Sequence, residues 1–191
     1  WSFVHTMLAE SLERRARRDG RWAHCHGVCA EAIAELYPNR GEETAERRAE
    51  HLIEAGRLAE ALGPLLEAAR RARMLGAYRE HRQVIDRRRE VLDELGVPER
   101  DRRRAQNWFQ RARLCLSTGD SARAGDLLER LERVARQEGW HRELGDGLRL
   151  RAQMARDDGE IQRCLDLADE AEEAYRQTRS PRGRARCQTT R

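Results

Sequence analysis

Four residues near the start of the chain are of the types that bind metal ions. His24, Cys25, His26 and Cys29 lie close together, and thiolate and imidazole groups are ligands that zinc prefers. A structural zinc site needs four converging ligands, yet no CxxC pair and no second ligand pair accompanies them. Three of the four also fall on an apolar stripe at helical spacing, where buried free cysteine is common. We therefore predict a buried helix face here rather than a metal site. The stripe consists of Trp22, Cys25, His26, Cys29, Ala32, Ile33 and Leu36.

The remaining reactive residue types do not form a catalytic signature. The chain lacks a Walker-type glycine loop, a GxSxG elbow and an HExxH helix motif. Cysteine, histidine and acidic residues could in principle form a nucleophilic triad, but no strand–turn context for one is present. His5, His51, His81 and His141 are scattered, and we expect them to be solvated or half-buried. We predict that the chain is not an enzyme and that it binds no metal or cofactor.

Arginine dominates the charged residues and allows two interpretations. All 38 basic residues are arginine, and 34 acidic residues are interleaved with them, which leaves a net charge of only +4. An arginine-rich helical surface could bind nucleic acid, because arginine pairs with phosphate in two-point contacts. Mixed charges along helix faces are more typical of solvated surfaces with ion pairs one turn apart. Nucleic-acid binding is therefore kept as the alternative to a protein-binding function.

Repeated spacing of small and apolar residues predicts packed pairs of helices. In the stretch from Ala55 to Ala69, a glycine ends one helix and Ala61, Leu65 and Ala68 mark the buried face of the next. The same pattern follows Gly119, with Ala124, Leu128 and Leu131, and Gly159, with Cys164, Ala168 and Ala171. Small residues at such positions let antiparallel helices pack closely and stack on the next pair. β-branched residues are scarce and no stretch alternates convincingly, so an all-α fold is predicted.

Breaks along the chain divide it into predicted helices. We expect the tail of a strand at Trp1 to Val4, and breaks at Asp19-Gly20 and at Tyr37-Pro38-Asn39. Further helices are predicted at 42–54, 58–74 and 79–95, where Pro64 should kink its helix or mark its first turn. Gly96-Val97-Pro98 is the clearest linker, so we predict two segments, 1–96 and 97–191. Asp101 should cap the first helix of the second segment. Breaks follow at Gly119, Gly139 and Gly159, and Ser180-Pro181 opens a last helix.

The ends and the cysteine content suggest the setting of the chain. Trp1 is not preceded by a methionine, and the helix opened by Ser180-Pro181 stops within about ten residues, so we expect a fragment of a longer protein. Five cysteines at irregular spacings, with no signal peptide, favour reduced thiols in the cytoplasm. No apolar run approaches the ~18 residues that a membrane helix needs. We predict a cytoplasmic protein that does not insert into a membrane.

Four stretches between Trp1 and about Leu95 carry short motifs of one known family. They are Phe3-Val4-His5 with Leu8 and Leu12, Arg21 to His26 running on to Ile33, Ala49 to Leu52 with Ala55-Gly56, and Ala59 to Ala72. In their order and intervals they resemble motifs of STAND-type signalling ATPases. Cys25 stands where the family pattern prefers leucine, and Pro64 interrupts another matching helix. The second half resembles generic tetratricopeptide repeats.

The resemblance implies a fold and a place in a larger protein. It implies antiparallel helix pairs stacked as a right-handed, tetratricopeptide-like superhelix, an α-solenoid, with a winged-helix-proximal segment at the start of 1–96. In bacterial proteins of this kind the region is the sensor and scaffold arm, which binds an effector or mediates assembly. Its partners would be a protein or peptide, other domains of the parent chain, or a second copy of itself.

The function that we predict is recognition by a non-catalytic scaffold. A peptide, partner domain or small effector would bind the concave face of the superhelix and shift the parent protein between closed and open forms. Arg88 is the exception among the basic residues, because it falls on an inward stripe, and we expect it to reach a carboxylate or to line a groove. The predicted partner-binding residues are Arg88, Arg104, Asn107, Arg111 and Arg151.

Overall fold

The computed structural model describes residues 6–38 and 41–178, and within these ranges every regular element is an α-helix. The all-α prediction is confirmed for the described part of the chain. The predicted strand tail at Trp1 to Val4 and the helix after Ser180-Pro181 lie outside the described residues. The helices are α1 (Thr6–Arg18), α2 (Trp22–Leu36), α3 (Gly41–Glu54), α4 (Leu58–Met74), α5 (Tyr78–Glu94), α6 (Arg102–Ser117), α7 (Ser121–Glu138), α8 (His141–Asp157) and α9 (Ile161–Gln177).

Glycine ends most of these helices and makes the connections short. Two to seven residues separate consecutive helices from α1 to α9, so neighbours run in roughly opposite directions. Gly139 shows how a helix stops: its φ is 68°, and the amide of Trp140 donates to the carbonyl of Ala135 at 2.8 Å. A left-handed residue followed by such a bond satisfies a carbonyl that the last helical turn leaves free. The same positive φ occurs at Gly20, Gly56, Gly76, Gly96, Gly119 and Gly159.

Acidic side chains cap two of the helices in the second half. The Asp101 carboxylate accepts from the backbone N–H of Arg103 at 2.8 Å, which confirms the predicted cap of α6. Asp120 accepts from the backbone N–H of Arg123 at 3.2 Å at the start of α7. Each carboxylate satisfies an amide that the first helical turn leaves free. The boundaries of α6 and α7 are thus fixed by local chemistry.

Each helix packs on the next one along the chain, and a second set of contacts joins alternate helices. The α4 helix also contacts α6, and α6 contacts α8, so these three lie side by side. Alanine at the contact positions, such as Ala61, Ala112 and Ala152, is fully buried and allows close approach of the helices. The predicted small and apolar stripes of α4, α7 and α9 are buried as expected. None of the helices within the described ranges is both long and apolar enough to cross a bilayer.

Two predictions of burial were wrong. On α2, Cys25, Cys29 and Leu36 are exposed rather than buried, because α1 covers α2 thinly and only the side facing α3 is enclosed. That side carries Ala30, which is the fully buried residue of this helix. On α5, His81 is completely buried rather than solvated. It lies one helical turn before Val84 and Ile85 and continues their buried stripe.

Two predicted breaks, at Pro64 and at the Gly96-Val97-Pro98 linker, can be compared with the structure. Pro64 does not interrupt α4, which continues from Leu58 to Met74 with the proline ring buried. At the predicted linker Gly96-Val97-Pro98, Val97 is buried and belongs to the core that also contains Leu114 of α6. The side chains on the two sides of the linker therefore share one hydrophobic cluster.

Candidate binding groove

A cleft lined by α4, α6 and α8, here called the basic groove, has arginine as its commonest residue. Its cavity volume is about 480 Å³, within the range of sites that bind small ligands or short peptide segments. Leu66, Ala105 and Leu131 are buried residues on its wall, and Phe109 is half-buried. The arginines that line the groove are Arg70 and Arg73 from α4, Arg113 from α6, and Arg142 and Arg149 from α8.

The carboxylates of the basic groove are already engaged by other groups. Glu143 forms an ion pair with Arg102, with Nε and Oε1 3.3 Å apart. Asp146 accepts a hydrogen bond of 2.6 Å from the hydroxyl of Tyr175 on α9. Glu143 is thus paired with a cation, whereas Asp146 keeps its charge because the tyrosine hydroxyl is neutral. Five arginines against two carboxylates still leave the groove with an excess of positive charge.

Two exposed arginines of the basic groove make no ion pair with the described protein. Arg70 and Arg142 stand on opposite sides of the groove, on α4 and α8, and neither forms a hydrogen bond or ion pair within residues 6–38 and 41–178. A guanidinium with five free N–H donors is well suited to bind a carboxylate or phosphate in a two-point contact. The groove thus presents two anchors for anionic groups on either side of α6.

Buried polar atoms lie at the wall of the basic groove. Gln110 is only 6% exposed, and its Oε1 has no hydrogen-bond partner in the described protein. Glu143 is also buried, and its Oε2 likewise has no hydrogen-bond partner there. Behind Gln110, burial lowers the pKa of His81 to about 4, with the charges of Arg73 and Arg113 adding to the effect. The side-chain amide of Gln110 acts against this lowering of the His81 pKa. His81 is thus neutral at pH 7, and it lies outside the set of residues that line the groove.

A different cleft lies between α5 and α7 and is here called the α5–α7 cleft. It is lined by three of the residues that were predicted to bind a partner. Arg104, Asn107 and Arg111 of α6 form its base. Arg104 binds Asp93 at 2.5 Å and the carbonyl of Val97 at 2.8 Å. Arg111 pairs with Asp86 of α5. These arginines join α5 to α6, and the α5–α7 cleft is largely neutralised by such pairs.

Arg88, also predicted to contact a partner, is a buried cation between the two clefts. Its guanidinium donates to the carbonyls of Leu62 and Arg103 and to the side-chain amides of Gln106 and Asn107, at 2.8 to 3.4 Å. None of these four acceptors is a carboxylate, contrary to what its inward position suggested. Burial lowers the pKa of Arg88 to about 10, and the charge of Arg70 acts in the same direction. Arg88 therefore links α4, α5 and α6.

The last predicted contact residue, Arg151, also joins helices. It donates to Glu132 of α7 at 2.9 Å and lies 3.7 Å from Glu129. Burial raises the pKa of Glu132, while Arg151 opposes that shift. Partner binding by the five predicted residues stays a prediction.

The arginines of the basic groove were missed although two of them lie beside predicted contact residues. Arg113 and Arg149 are each two residues from a predicted contact, Arg111 and Arg151. Two residues along a helix amount to a rotation of about 200°, which takes the side chain to the opposite flank. The sequence identified the helices but gave no signal for the flank that faces the groove.

The metal-like cluster near the start does not converge. The Nδ1 atoms of His26 and His51 lie 3.0 Å apart, joining α2 to α3. Cys25 and Cys29 are exposed. No group of three or more histidine, cysteine or acidic side chains is close enough to hold a metal ion among the residues the structure describes.

No family model matches the sequence, and no curated protein matches it significantly.

Proposed function

We propose that this chain is a non-catalytic recognition module that binds an acidic segment of a partner protein in the basic groove. The observation that carries the proposal is the charge of that groove: five arginines line it against two carboxylates, and one of these, Glu143, is paired with Arg102. Arg70 and Arg142 keep all their N–H donors available to a ligand within the described protein. Such an arrangement favours a ligand that brings carboxylates.

The arrangement of helices supports a tetratricopeptide-like stack as the framework of this groove. The α6 helix contacts both α4 and α8, and the helices between them connect them through short turns. Stacks of helix pairs place alternate helices in one layer, and that layer forms an extended binding surface. We propose that α4, α6 and α8 form the concave layer of a right-handed superhelix.

The parent protein supplies the setting of the proposal. As the resemblance to STAND-type signalling ATPases implies, we propose that the module is the sensor arm of a larger cytoplasmic signalling protein. Binding in the basic groove would then shift the parent protein between closed and open forms. The flanking reading frame tests this: a nucleotide-binding domain upstream supports it, and a frame without one contradicts it.

Nucleic-acid binding is the less well supported function. Many arginines outside the basic groove pair with carboxylates of neighbouring helices, including Arg57 with Glu31 and Arg136 with Glu170. A phosphate backbone would have to compete with these pairs. A binding surface for nucleic acid usually presents clustered basic residues without such partners.

A binding experiment tests the proposed function. A fluorescein-labelled, glutamate-rich 12-residue peptide is titrated with the protein in 50 mM salt, and fluorescence anisotropy is measured. We expect Arg70→Glu and Arg142→Glu each to weaken binding by about tenfold or more, because a charge-assisted contact is lost and repulsion replaces it.

The matched control is Arg133→Glu, at an exposed position two residues beyond Leu131 and thus on the far side of α7 from the basic groove. It makes the same charge change and should leave peptide binding within about twofold of the wild type. Equal losses for all three variants would show a general charge effect and contradict the proposal. A single-stranded oligonucleotide that binds more tightly than the peptide, through Arg70 and Arg142, would support the alternative function.

A further inference from the structure

We infer that His26 and His51, here called the histidine clasp, hold α2 on α3 in an acid-sensitive way. When both imidazole rings carry an added proton, the clasp opens and α2 separates from α3. The clasp is independent of the basic groove, because residues of α4, α6, α7 and α8 line that groove. Three observations support the clasp: the contact between two ring nitrogens, the small buried area of α2, and the surroundings of His51.

The histidine clasp joins two ring nitrogens of the same kind. Nδ1 of His26 lies 3.0 Å from Nδ1 of His51, which is hydrogen-bond distance. One of these nitrogens must donate a proton, and the other must offer a lone pair. A proton added to Nε2 of the donating ring leaves this bond intact. A second added proton must occupy the accepting Nδ1, and two N–H groups would then face each other. The bond is therefore compatible with at most one added proton on the two rings.

The α2 helix has few other contacts that hold it against α3. Ala30 is the one residue of α2 that is fully buried among the described residues, and burial of one small side chain stabilises an interface little. The other anchor is polar, because the indole of Trp22 donates to Glu54 of α3 at 2.7 Å. The Trp22 ring also lies against His26, with 4.3 Å between the ring centroids. Loss of the bond between the histidines therefore removes a large share of what attaches α2 to α3.

The charged groups of α1 and of the turn before α4 are paired near this interface. Arg17 of α1 lies 3.9 Å from Glu54, which also accepts the hydrogen bond of the indole. Arg57, in the turn between α3 and α4, binds Glu31 of α2 and Glu60 of α4, each at 2.7 Å. These carboxylates are thus already matched by arginines on both sides of the clasp.

The surroundings of His51 on α2 and α3 disfavour its charged form. Burial lowers the pKa of this half-buried ring from 6.5, His26 and Arg47 act in the same direction, and Glu50 opposes them. Opening of the interface returns the ring to water and to its ordinary pKa. Below pH 6.5 the open form therefore binds more protons than the closed form, so the closed form loses stability as the pH falls. Histidine is the side chain that makes such a change near neutral pH.

The tautomers of the two rings test the contact in the unaltered protein. Two-bond nitrogen–proton correlation spectra at about pH 7.5 distinguish a neutral ring protonated on Nδ1 from one protonated on Nε2. We expect the Nδ1–H populations of His26 and His51 to add up to about one ring, because one of the two must donate. Both signals are assigned with His26→Gln and His51→Gln. If both rings carry their proton on Nε2, they share no hydrogen bond, and the inference is overturned.

Hydrogen exchange at two pH values tests the opening. Rates for peptides of α2 at about pH 7 and about pH 5 are divided by the intrinsic rates at the same pH, and α8 serves as the internal reference. We expect α2 to lose at least about tenfold of its protection at the lower pH, and α8 less than about twofold. The buried His81, with a pKa of about 4, is still mostly neutral there. An α2 helix that keeps its protection contradicts the clasp.

A glutamine at position 51 should remove the response to pH. Its amide can donate to or accept from Nδ1 of His26 but does not titrate in this range. For His51→Gln we expect the protection of α2 to change by less than about threefold between the two pH values. His24→Gln is the matched control, because His24 is an exposed histidine of the same helix, and it should respond as the wild type does.

Equal responses of wild type, His51→Gln and His24→Gln would overturn the inference, because the opening would then come from carboxylates or from general acid destabilisation. If His51→Gln leaves α2 unprotected already at pH 7, the tautomers of the wild type decide between a clasp and a contact without a shared proton.

Discussion

The buried guanidinium of Arg88 is held by neutral acceptors. The contribution of Arg88 to stability therefore depends on the shape of the side chain as well as on its charge. Its fork of N–H groups reaches the carbonyls of Leu62 and Arg103 and the amides of Gln106 and Asn107 from one position. A lysine ammonium carries the same charge but has three donors on one nitrogen and a different reach. Several of the acceptors would therefore lose their partner.

We expect Arg88→Lys to lower the free energy of unfolding by about 1–3 kcal/mol, because buried hydrogen bonds are lost. Chemical denaturation in urea measures the change. Arg89→Lys is the matched control, since Arg89 is half exposed and its one ion pair within the described residues is with Asp93 at 3.4 Å. It should change stability by less than about 0.5 kcal/mol. Equal effects of the two substitutions would show that the network around Arg88 has no special value.

The buried imidazole of His81 makes stability depend on pH. Its pKa is lowered from 6.5 to about 4 by burial and by Arg73 and Arg113. Between these values the unfolded chain binds more protons than the folded chain, so stability falls as the pH falls from 6.5 through 4. We expect this group to cost about 2–3 kcal/mol at pH 4.5 relative to pH 7. Urea denaturation at both pH values should show a smaller loss for His81→Gln than for the wild type.

The control for this prediction is His141→Gln, because His141 is exposed at the start of α8. Its loss of stability between pH 7 and pH 4.5 should match that of the wild type. If His81→Gln and His141→Gln behave alike, the loss comes from the carboxylates of the chain rather than from His81.

At the scale of the helices, two glycines of α8 allow α7, α8 and α9 to approach closely. A Cβ at Gly145 would lie 2.9 to 3.0 Å from three ring carbons of Tyr175, and one at Gly147 would lie 2.9 Å from a methyl group of Leu131. Carbon atoms at 3.0 Å are well inside van der Waals contact. The Tyr175 ring cannot retreat easily, because it is buried and its hydroxyl is bonded to Asp146.

We expect Gly145→Ala to destabilise the protein by about 1–3 kcal/mol, because overpacking outweighs the gain in helix propensity. Gly125→Ala in α7 is the matched control, since a Cβ there meets nothing within 4 Å. It should stabilise the protein by about 0.5–1 kcal/mol. Thermal unfolding of both variants measures the two opposite shifts, and a stabilising Gly145→Ala would contradict the close approach.

The helices could be predicted from the sequence because their ends are chemically marked. Gly20, Gly119 and Gly159 adopt positive φ where breaks were expected, and Asp101 caps α6 as predicted. The predicted burial of the apolar stripe of α2 was wrong. Its apolar period is real, but burial also requires a neighbour on each side, and periodicity does not report neighbours.

The candidate site was less predictable than the helices that form it. Arg70 and Arg142 come together only because α4, α6 and α8 lie side by side, and they are separated by more than seventy residues in sequence. Which arginines find a carboxylate on the next helix also depends on side-chain positions. The free pair could therefore be identified only in three dimensions.

For the whole molecule, the distribution of the core implies that stability is uneven along the chain. The α8 helix packs against α7 and α9 and also contacts α6, whereas α1 packs thinly on α2 and reaches α3 through the exposed ion pair of Arg17 and Glu54. Met7, Leu8 and Leu12 of α1 are 81%, 51% and 46% exposed. A helix of 13 residues with so little packing is marginal in water. Opening of α1 should therefore cost far less free energy than opening of α8.

Hydrogen exchange followed by mass spectrometry measures this difference. We expect peptides from α1 to exchange at least about a hundredfold faster than peptides from α8, and α2 to lie between them. Repeating the experiment at two protein concentrations separates an isolated α1 from a self-associated one. If α1 is as protected as α8 at both concentrations, the uneven core is contradicted. If its protection rises with concentration, a second copy covers the exposed side chains of α1, and the predicted homo-oligomer forms through this end of the molecule.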